Sequence, residues 1–154
     1  MRVNKLLIQA PLFFLFGVLA TFSLEPYKIY PLIFFFSFAI YRICKVSNLK
    51  EVFYLSFSFA FGWFFVGLYW ITNAFLVKSG FYIFLMPLAA ALLPLILSLT
   101  WSIAFLFAKF ISPKIGEIHV NIIILLSIFE YLRGKLLNFP WLMPGSFFAS
   151  DEML

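Results

Sequence analysis

The segment Asn121–Trp141 reads NIIILLSIFEYLRGKLLNFPW: a largely hydrocarbon run, then an acid, a base and finally a Pro–Trp pair. A charge inside a lipid bilayer is costly unless it is paired or functional. Glu130 and Arg133 are three residues apart, so they lie on one face of a helix, where an ion pair offsets part of that cost. Tryptophan is enriched where hydrocarbon meets head groups. The segment therefore predicts a membrane helix that ends at the membrane–water interface.

The composition extends this prediction to the whole chain. Hydrophobic residues make up 65% of it and charged residues 11%, with a mean hydropathy of +1.09. A soluble domain is typically about 45–50% apolar and about 25% charged. A chain of this size could not hide so much apolar surface in its own core. We therefore predict an integral membrane protein.

Five apolar stretches are candidate membrane spans. They are Leu6–Leu24, Ile29–Ile43, Val52–Val77, Phe81–Ala108 and Ile118–Leu137. A spanning helix needs about 20 apolar residues, so the second stretch is short and is predicted to be interfacial or strongly tilted. The predicted fold is an all-α, polytopic bundle of about five transmembrane helices. The first stretch also resembles a signal peptide, but a second apolar stretch follows it almost at once, which favours an uncleaved first helix.

The basic residues alternate between the connectors. The connectors on one side carry Arg2, Lys5, Arg42, Lys45, Lys50, Lys109 and Lys114, and those on the other side carry Lys28, Lys78, Arg133 and Lys135. Positive charge is retained on the cytoplasmic side of a membrane. The N-terminus is therefore predicted to be cytoplasmic. Because the basic residues are dispersed between spans, the net charge of +5 does not indicate a nucleic-acid partner.

Two groups of residues are candidates for a site. Trp63, Gly67 and Trp70 have the spacing of one helical face, with Tyr69 beside them; they form either an aromatic belt with close helix packing or the wall of a groove for an acyl chain. Glu130 and Arg133 form either a structural pair or an anchor for an outer loop or lipid head group. Arg133 is long enough to reach head groups, whereas Glu130 needs a partner.

Residue types suited to catalysis or metal binding are scarce. Cys44 is the one cysteine and lies near Arg42 and Lys45, but no base is near it in the sequence, so it is predicted to be unreactive. One histidine and six acids leave little material for a metal site. We expect no catalytic residue, metal or cofactor in these residues.

Three segments, in this order, resemble one protein family. They are FGVLATFSLEPYKIYP (residues 16–31), FGWFFVGLYWI (61–71) and EYLRGKLLNFPWLMPG (130–145). Together they resemble the N-terminal membrane region of apolipoprotein N-acyltransferases, the bacterial inner-membrane enzymes that add the third acyl chain to lipoproteins. Tyr30 and Ser146 depart from the family's usual Trp and Tyr at these places.

The resemblance implies a phospholipid acyl donor and a diacylated lipoprotein as partners. It also implies a nitrilase-like catalytic domain with a Glu-Lys-Cys triad, which these 154 residues do not contain. We therefore expect residues 1–145 to form the N-terminal transmembrane domain and residues 146–154 to begin the next segment. The chain would then be inactive alone, as a truncated or split product, with a separate chain possible for catalysis.

A lipid or interface role is predicted for ten residues: the resemblance implies it for the six from Glu130 onward, and the helical-face spacing and aromatic belt suggest it for the four in the third stretch. The ten residues are Trp63, Gly67, Tyr69, Trp70, Glu130, Arg133, Gly134, Phe139, Pro140 and Trp141. The alternative function is a non-enzymatic membrane scaffold that binds lipid or a partner protein. A small transporter component has little support, because charged residues line no stretch away from its ends except at Glu130 and Arg133.

Overall fold

Apolar runs separated by short polar connectors form helices in the computed structural model, which describes residues 2–77, 82–112, 115–138 and 141–148. The helices are α1 (Arg2–Thr21), α2 (Ile33–Cys44), α3 (Leu49–Gly67), α4 (Ile71–Val77), α5 (Tyr82–Ile111) and α6 (Ile115–Leu137). Two short 3₁₀ helices, Tyr30–Leu32 and Pro144–Phe148, complete the described elements. The predicted all-α fold is confirmed, because within these ranges the chain forms only helices, turns and connectors.

Helix α3 is the centre of the bundle, with α1 on one side and α5 on the other. Helix α6 packs on α5, and α2 packs on α1. The Lys109 ammonium near the end of α5 donates a hydrogen bond of 3.3 Å to the Cys44 carbonyl, so α5 ends beside the end of α2. We call the end of the bundle where α2 ends and α3 begins the Asn48 end. The opposite end, where α3 and α6 end, is the Trp141 end.

Two glycines bring the backbones of α1 and α3 into contact. A Cβ atom at Gly17 would collide with the carbonyl oxygen of Phe59, and one at Gly62 would collide with the carbonyl oxygen of Phe14. The hydroxyl of Thr21 also donates across this contact, to the carbonyl of Trp63 at 3.0 Å. Small residues allow such close approach between membrane helices, which have little hydrophobic driving force between them.

The third predicted span, Val52–Val77, is wrong as a single helix. Helix α3 ends at Gly67, and the chain turns before α4 begins at Ile71. The backbone N–H groups of Tyr69 and Thr72 donate to carbonyls three residues earlier, which tightens the coil. Trp70 therefore lies beyond the end of the helical face that holds Trp63.

The remaining predicted spans correspond to helices with shifted ends. The first helix ends at Thr21 instead of Leu24, and the second α-helix begins at Ile33, after the 3₁₀ helix. Helix α5 runs without interruption through Pro87 and Pro94. At the start of α3, the side chain of Asn48 accepts a hydrogen bond of 2.9 Å from the Lys50 N–H, which satisfies a backbone donor at the helix N-terminus.

Large apolar side chains cover the outside of the bundle as well as its interior. Ile8, Phe110 and Leu136 are 74%, 82% and 76% exposed. Water would not stabilise such a surface, but lipid does. Within the described ranges, Leu49–Gly67 and Ile83–Ile111 are long and apolar enough to cross a membrane. The fold is therefore a helical membrane bundle.

Candidate functional site

The carboxylate of Glu130 is the centre of a buried polar network near the Trp141 end. Glu130 is only 7% exposed. The indole N–H of Trp101 on α5 donates a hydrogen bond of 2.7 Å to its Oε1. Nη2 of Arg133 donates to its Oε2 and completes the predicted ion pair. Both carboxylate oxygens are thus occupied, which offsets the cost of removing the charge from water.

Arg133 continues the network from the helix to the loop that follows it. Its Nη2 also donates a hydrogen bond of 2.8 Å to the carbonyl of Trp141. Its guanidinium lies over the ring of Phe64, 5.3 Å from the centroid. Arg133 is 4% exposed, so the prediction that it reaches out to head groups is wrong. Fixed acceptors on Glu130 and Trp141 hold it inside instead.

The turn at Trp141 and Leu142 is held from both sides of the bundle. The indole N–H of Trp63 on α3 donates a hydrogen bond of 3.2 Å to the Leu142 carbonyl. Leu142 has a φ of 57°, a left-handed conformation that typically costs a non-glycine residue about 1–3 kcal/mol. The Trp63 and Arg133 hydrogen bonds fix the turn against this strain.

Gly67 provides the space for the same turn. A Cβ atom at Gly67 would collide with Cδ1 of Leu142. A Cβ atom at Gly134 would lie 3.0 Å from Cε of Met143, which is closer than most Cβ contacts. The two glycines therefore admit the side chains of Leu142 and Met143 against α3 and α6. In the structure this loop approaches Gly67, whereas the predicted neighbour was another helix or an acyl chain.

Aromatic rings surround the Trp101 indole. Its ring centroid lies 4.9 Å from that of Phe64, with the planes at 68°, and 5.9 Å from that of Trp63. Phe36 of α2 meets it edge-on at 5.9 Å. Trp101 and Trp63 are both fully buried. The low dielectric constant of such surroundings strengthens the hydrogen bond between Trp101 and Glu130.

The rim of the site is exposed and aromatic. The rings of Trp70 and Trp141 meet at 5.4 Å with their planes at 69°, and both are about half exposed. Tyr69 is 68% exposed, and among the described residues its side chain joins neither the hydrogen-bond network nor this ring pair. Phe139 and Pro140 lie outside the described residues.

The structure therefore gathers seven of the ten predicted residues around one turn. They are Trp63, Gly67, Trp70, Glu130, Arg133, Gly134 and Trp141. Sequence reasoning did not single out Trp101, Phe64 or Leu142. A signal for Trp101 exists: an indole N–H within an apolar span needs an acceptor, and Glu130 is the acid placed within another span.

The network is suited to holding a loop in place. Both oxygens of Glu130 accept hydrogen bonds from buried partners, and the side chain is almost fully buried, so its contacts are those of a structural link. Cys44 is fully buried at the Asn48 end, far along the bundle from the network. Across residues 2–77, 82–112, 115–138 and 141–148, no group of three His, Cys, Asp or Glu side chains could hold a metal ion.

The comparison with known proteins covers nearly the whole chain. Residues 16–154 match the sequence model of the apolipoprotein N-acyltransferase N-terminal domain. The apolipoprotein N-acyltransferase of Rhodopseudomonas palustris is 32% identical over 140 residues, which are 86% of this chain and 26% of the relative. That of Sinorhizobium fredii is 34% identical over 140 residues, 83% of this chain and 26% of the relative.

A relative with lower sequence identity matches the same portion of the chain. The apolipoprotein N-acyltransferase of Rickettsia prowazekii is 28% identical over 141 residues, which are 91% of this chain and 28% of the relative. The chain thus spans about a quarter of the length of the curated relatives it matches. The turn at Trp141 and the residues that hold it lie inside the matched region. The chain belongs to the family of apolipoprotein N-acyltransferase N-terminal domains.

Proposed function

We propose that this chain is the membrane-embedded N-terminal part of an apolipoprotein N-acyltransferase, which transfers an acyl chain from a phospholipid to the N-terminal cysteine amine of a bacterial lipoprotein. The observation that carries this proposal is the hydrogen-bonded path from Trp101 through Glu130 and Arg133 to the Trp141 carbonyl. Glu130, Arg133 and Trp141 lie in the segment 130–145 that resembles the family, and the path fixes the shape of the loop at the Trp141 end.

The role of the site is to hold a rigid aromatic rim where lipid and lipoprotein approach. Trp70 and Trp141 are half exposed and pack edge to face, as interfacial aromatic side chains do. The buried Arg133 and Trp63 donors restrain the backbone behind this rim. Binding surfaces act best on rigid elements, because the cost of ordering them at each binding event is small.

The proposed location is the bacterial inner membrane, with the N-terminus in the cytoplasm and the Trp141 end outside. The alternation of basic connectors supports this orientation. The helix order agrees with it, because the basic residues Arg42, Lys45 and Lys50 all lie at the Asn48 end. The lipoprotein substrate and the acyl donor would then meet at the outer face.

The acyl-transfer chemistry is proposed to require a part beyond these 154 residues. A covalent acyl carrier needs an activated nucleophile. Cys44 is buried at the end opposite the proposed reaction rim, and the Glu130 carboxylate is engaged by two donors. A further segment of the same polypeptide or a separate chain would supply the catalytic residues. The chain alone would then be inactive.

The test is a fusion protein with internal controls. Residues 1–148 would replace the corresponding region of the Rhodopseudomonas palustris relative, and conversion of diacyl to triacyl lipoprotein would be measured by mass spectrometry of the N-terminal lipopeptide. We expect conversion by the fusion and by its Lys135→Ala variant, and a large loss for Glu130→Ala at equal membrane abundance. Lys135 is the matched control, because it lies on the same helix but is exposed.

Two outcomes would contradict the proposal. Conversion by the 154-residue chain alone in phospholipid micelles would show that the chemistry resides here. A fusion that inserts and folds but transfers no acyl chain would instead support a non-enzymatic scaffold.

A further inference from the structure

A polar cavity of about 280 Å³ lies at the Asn48 end, on the opposite side of the bundle from the Trp141 turn. It is formed where α1, the connector after α2 and the first turns of α3 meet. Its polar lining consists of Gln9, Arg42, Lys45, Ser47 and Glu51. The side chains of Phe13, Val46 and Leu55 complete the lining. This cavity takes no part in the network described above.

The cations of the cavity are suited to a phosphate group. Arg42 and Lys45 are both exposed, so a ligand can reach their charged groups. The Lys45 ammonium lies 4.3 Å from the ring centroid of Tyr41, a cation–π contact that restrains this side chain. Guanidinium and ammonium groups form strong, charge-assisted hydrogen bonds with phosphate oxygens. The cavity also lies beside the N-terminus of α3, which favours negative charge.

An anion alone does not match the whole lining. The Glu51 carboxylate faces the same cavity and would repel a second negative group. Oε1 of Gln9 is buried, and within the described residues it has no hydrogen-bond partner. A buried acceptor without a donor typically costs about 1–3 kcal/mol. A primary ammonium carries three N–H groups, so it would offer donors to both Glu51 and Gln9 and leave Arg42 and Lys45 for the phosphate.

The position and size of the cavity indicate where such a ligand comes from. It lies where α2 ends and α3 begins, and in the proposed membrane orientation this end of the bundle is at the level of lipid head groups. Pockets for drug-sized ligands are about 300–1,000 Å³, so a cavity of about 280 Å³ is suited to a head group. Ile8 and Leu12, which adjoin the lining residues Gln9 and Phe13 in the sequence, are exposed and offer an apolar surface for acyl chains.

We propose that this cavity binds the head group of a phospholipid that joins a phosphate to a primary ammonium. The phosphate binds Arg42 and Lys45, and the ammonium donates to Glu51 and to Oε1 of Gln9. The site lies at the face opposite the rim of Trp70 and Trp141, so it is a lipid-anchoring site for α1, α2 and α3. It does not depend on acyl transfer, and the family function could fail while this site remains.

The test compares lipids that differ only in the head group. The 154-residue chain would be purified in detergent with equal amounts of phosphatidylethanolamine, phosphatidylcholine and phosphatidylglycerol of identical acyl chains, and retained lipid would be counted by native mass spectrometry. Phosphatidylcholine keeps the phosphate but has no N–H donor, and phosphatidylglycerol has no cation. We expect retention of phosphatidylethanolamine about tenfold above phosphatidylcholine, the ratio that one hydrogen bond to a charged group supports.

The variants separate the two halves of the site. Glu51→Gln and Gln9→Leu should bring the ratio of phosphatidylethanolamine to phosphatidylcholine towards one. Arg42→Gln should lower retention of both lipids. Lys50→Gln is the matched control. Lys50 lies in the first turn of α3, as Glu51 does, but it does not line the cavity, so this variant removes a positive charge without changing the proposed site.

Equal retention of phosphatidylethanolamine and phosphatidylcholine by the unmodified chain would overturn the proposal. A preference for phosphatidylglycerol would overturn it as well. This comparison needs no variant, so it holds even where a variant fails to fold. A further measurement adds free phosphoethanolamine, the head group without acyl chains, to the chain with its bound lipid. We expect no displacement of bound lipid at millimolar concentration, and displacement would overturn the assignment to a lipid.

Discussion

The indole N–H of Trp101 and the Oε1 atom of Glu130 lie 2.7 Å apart and join α5 to α6 inside an apolar bundle. The two residues are 29 positions apart in the chain. Each would be costly alone at this depth, because a buried donor or acceptor without a partner keeps its desolvation penalty. Together with Arg133, they convert two isolated polar groups into an interhelical link that reaches the Trp141 turn.

Replacing Trp101 by Phe should lower the free energy of unfolding by at least about 1–3 kcal/mol, because the donor to Glu130 is lost and the smaller ring also leaves a cavity at a fully buried site. The measurement is unfolding in mixed micelles of increasing sodium dodecyl sulfate. Trp70→Phe is the control, since Trp70 is half exposed and contributes a ring contact to Trp141. Equal losses in the two variants would show that the Trp101 hydrogen bond does not matter.

The Glu130–Arg133 pair should be strongly non-additive. Glu130→Ala leaves a buried guanidinium without its carboxylate and should cost about 3–5 kcal/mol, as should Arg133→Met, which leaves the carboxylate. The double variant should lose clearly less than the sum, because neither charge remains buried alone. Lys135→Ala should stay within about 0.5 kcal/mol. Additive losses in the same micelle titration would refute the coupling.

The glycines at helix contacts should differ in sensitivity to alanine. Gly17→Ala should cost at least about 1–3 kcal/mol, because its Cβ meets the backbone carbonyl of Phe59, which cannot rotate away. Gly67→Ala should cost less, since it meets the flexible side chain of Leu142. Gly145→Ala should have little effect, because nothing lies within 4 Å of its Cβ position. An order other than Gly17, Gly67, Gly145 would contradict the described contact between α1 and α3.

The orientation in the membrane can be measured with single cysteines. In a Cys44→Ala background, Asn138→Cys should react with an impermeant maleimide in intact cells, because the Trp141 end is predicted to face outward. Lys50→Cys, at the Asn48 end, should react only after the membrane is opened. The two positions control for each other, as both are exposed in the structure. The reverse labelling pattern would place the N-terminus outside and remove the proposed orientation.

Local patterns were sufficient for some of the site. The Glu130–Arg133 pair follows from helical spacing, and the glycine contacts of α1 and α3 could have been found from small residues four apart: Gly17 with Thr21, and Ser58 with Gly62. The end of α3 at Gly67 was not predicted, because the apolar run continues unchanged through the turn. A hydropathy profile depends only on residue types. It does not detect that the backbone N–H groups after Gly67 bond to carbonyls three residues earlier instead of four.

The sequence by itself determined that this protein is a helical membrane bundle. In lipid a helix satisfies its own backbone hydrogen bonds, so each apolar run forms a helix from local information. Only the tertiary structure decided that Trp101 binds Glu130 and that Trp63 binds the carbonyl of Leu142, 79 positions away. Such partners depend on how distant helices pack and rotate against one another, and no property of a single segment specifies this.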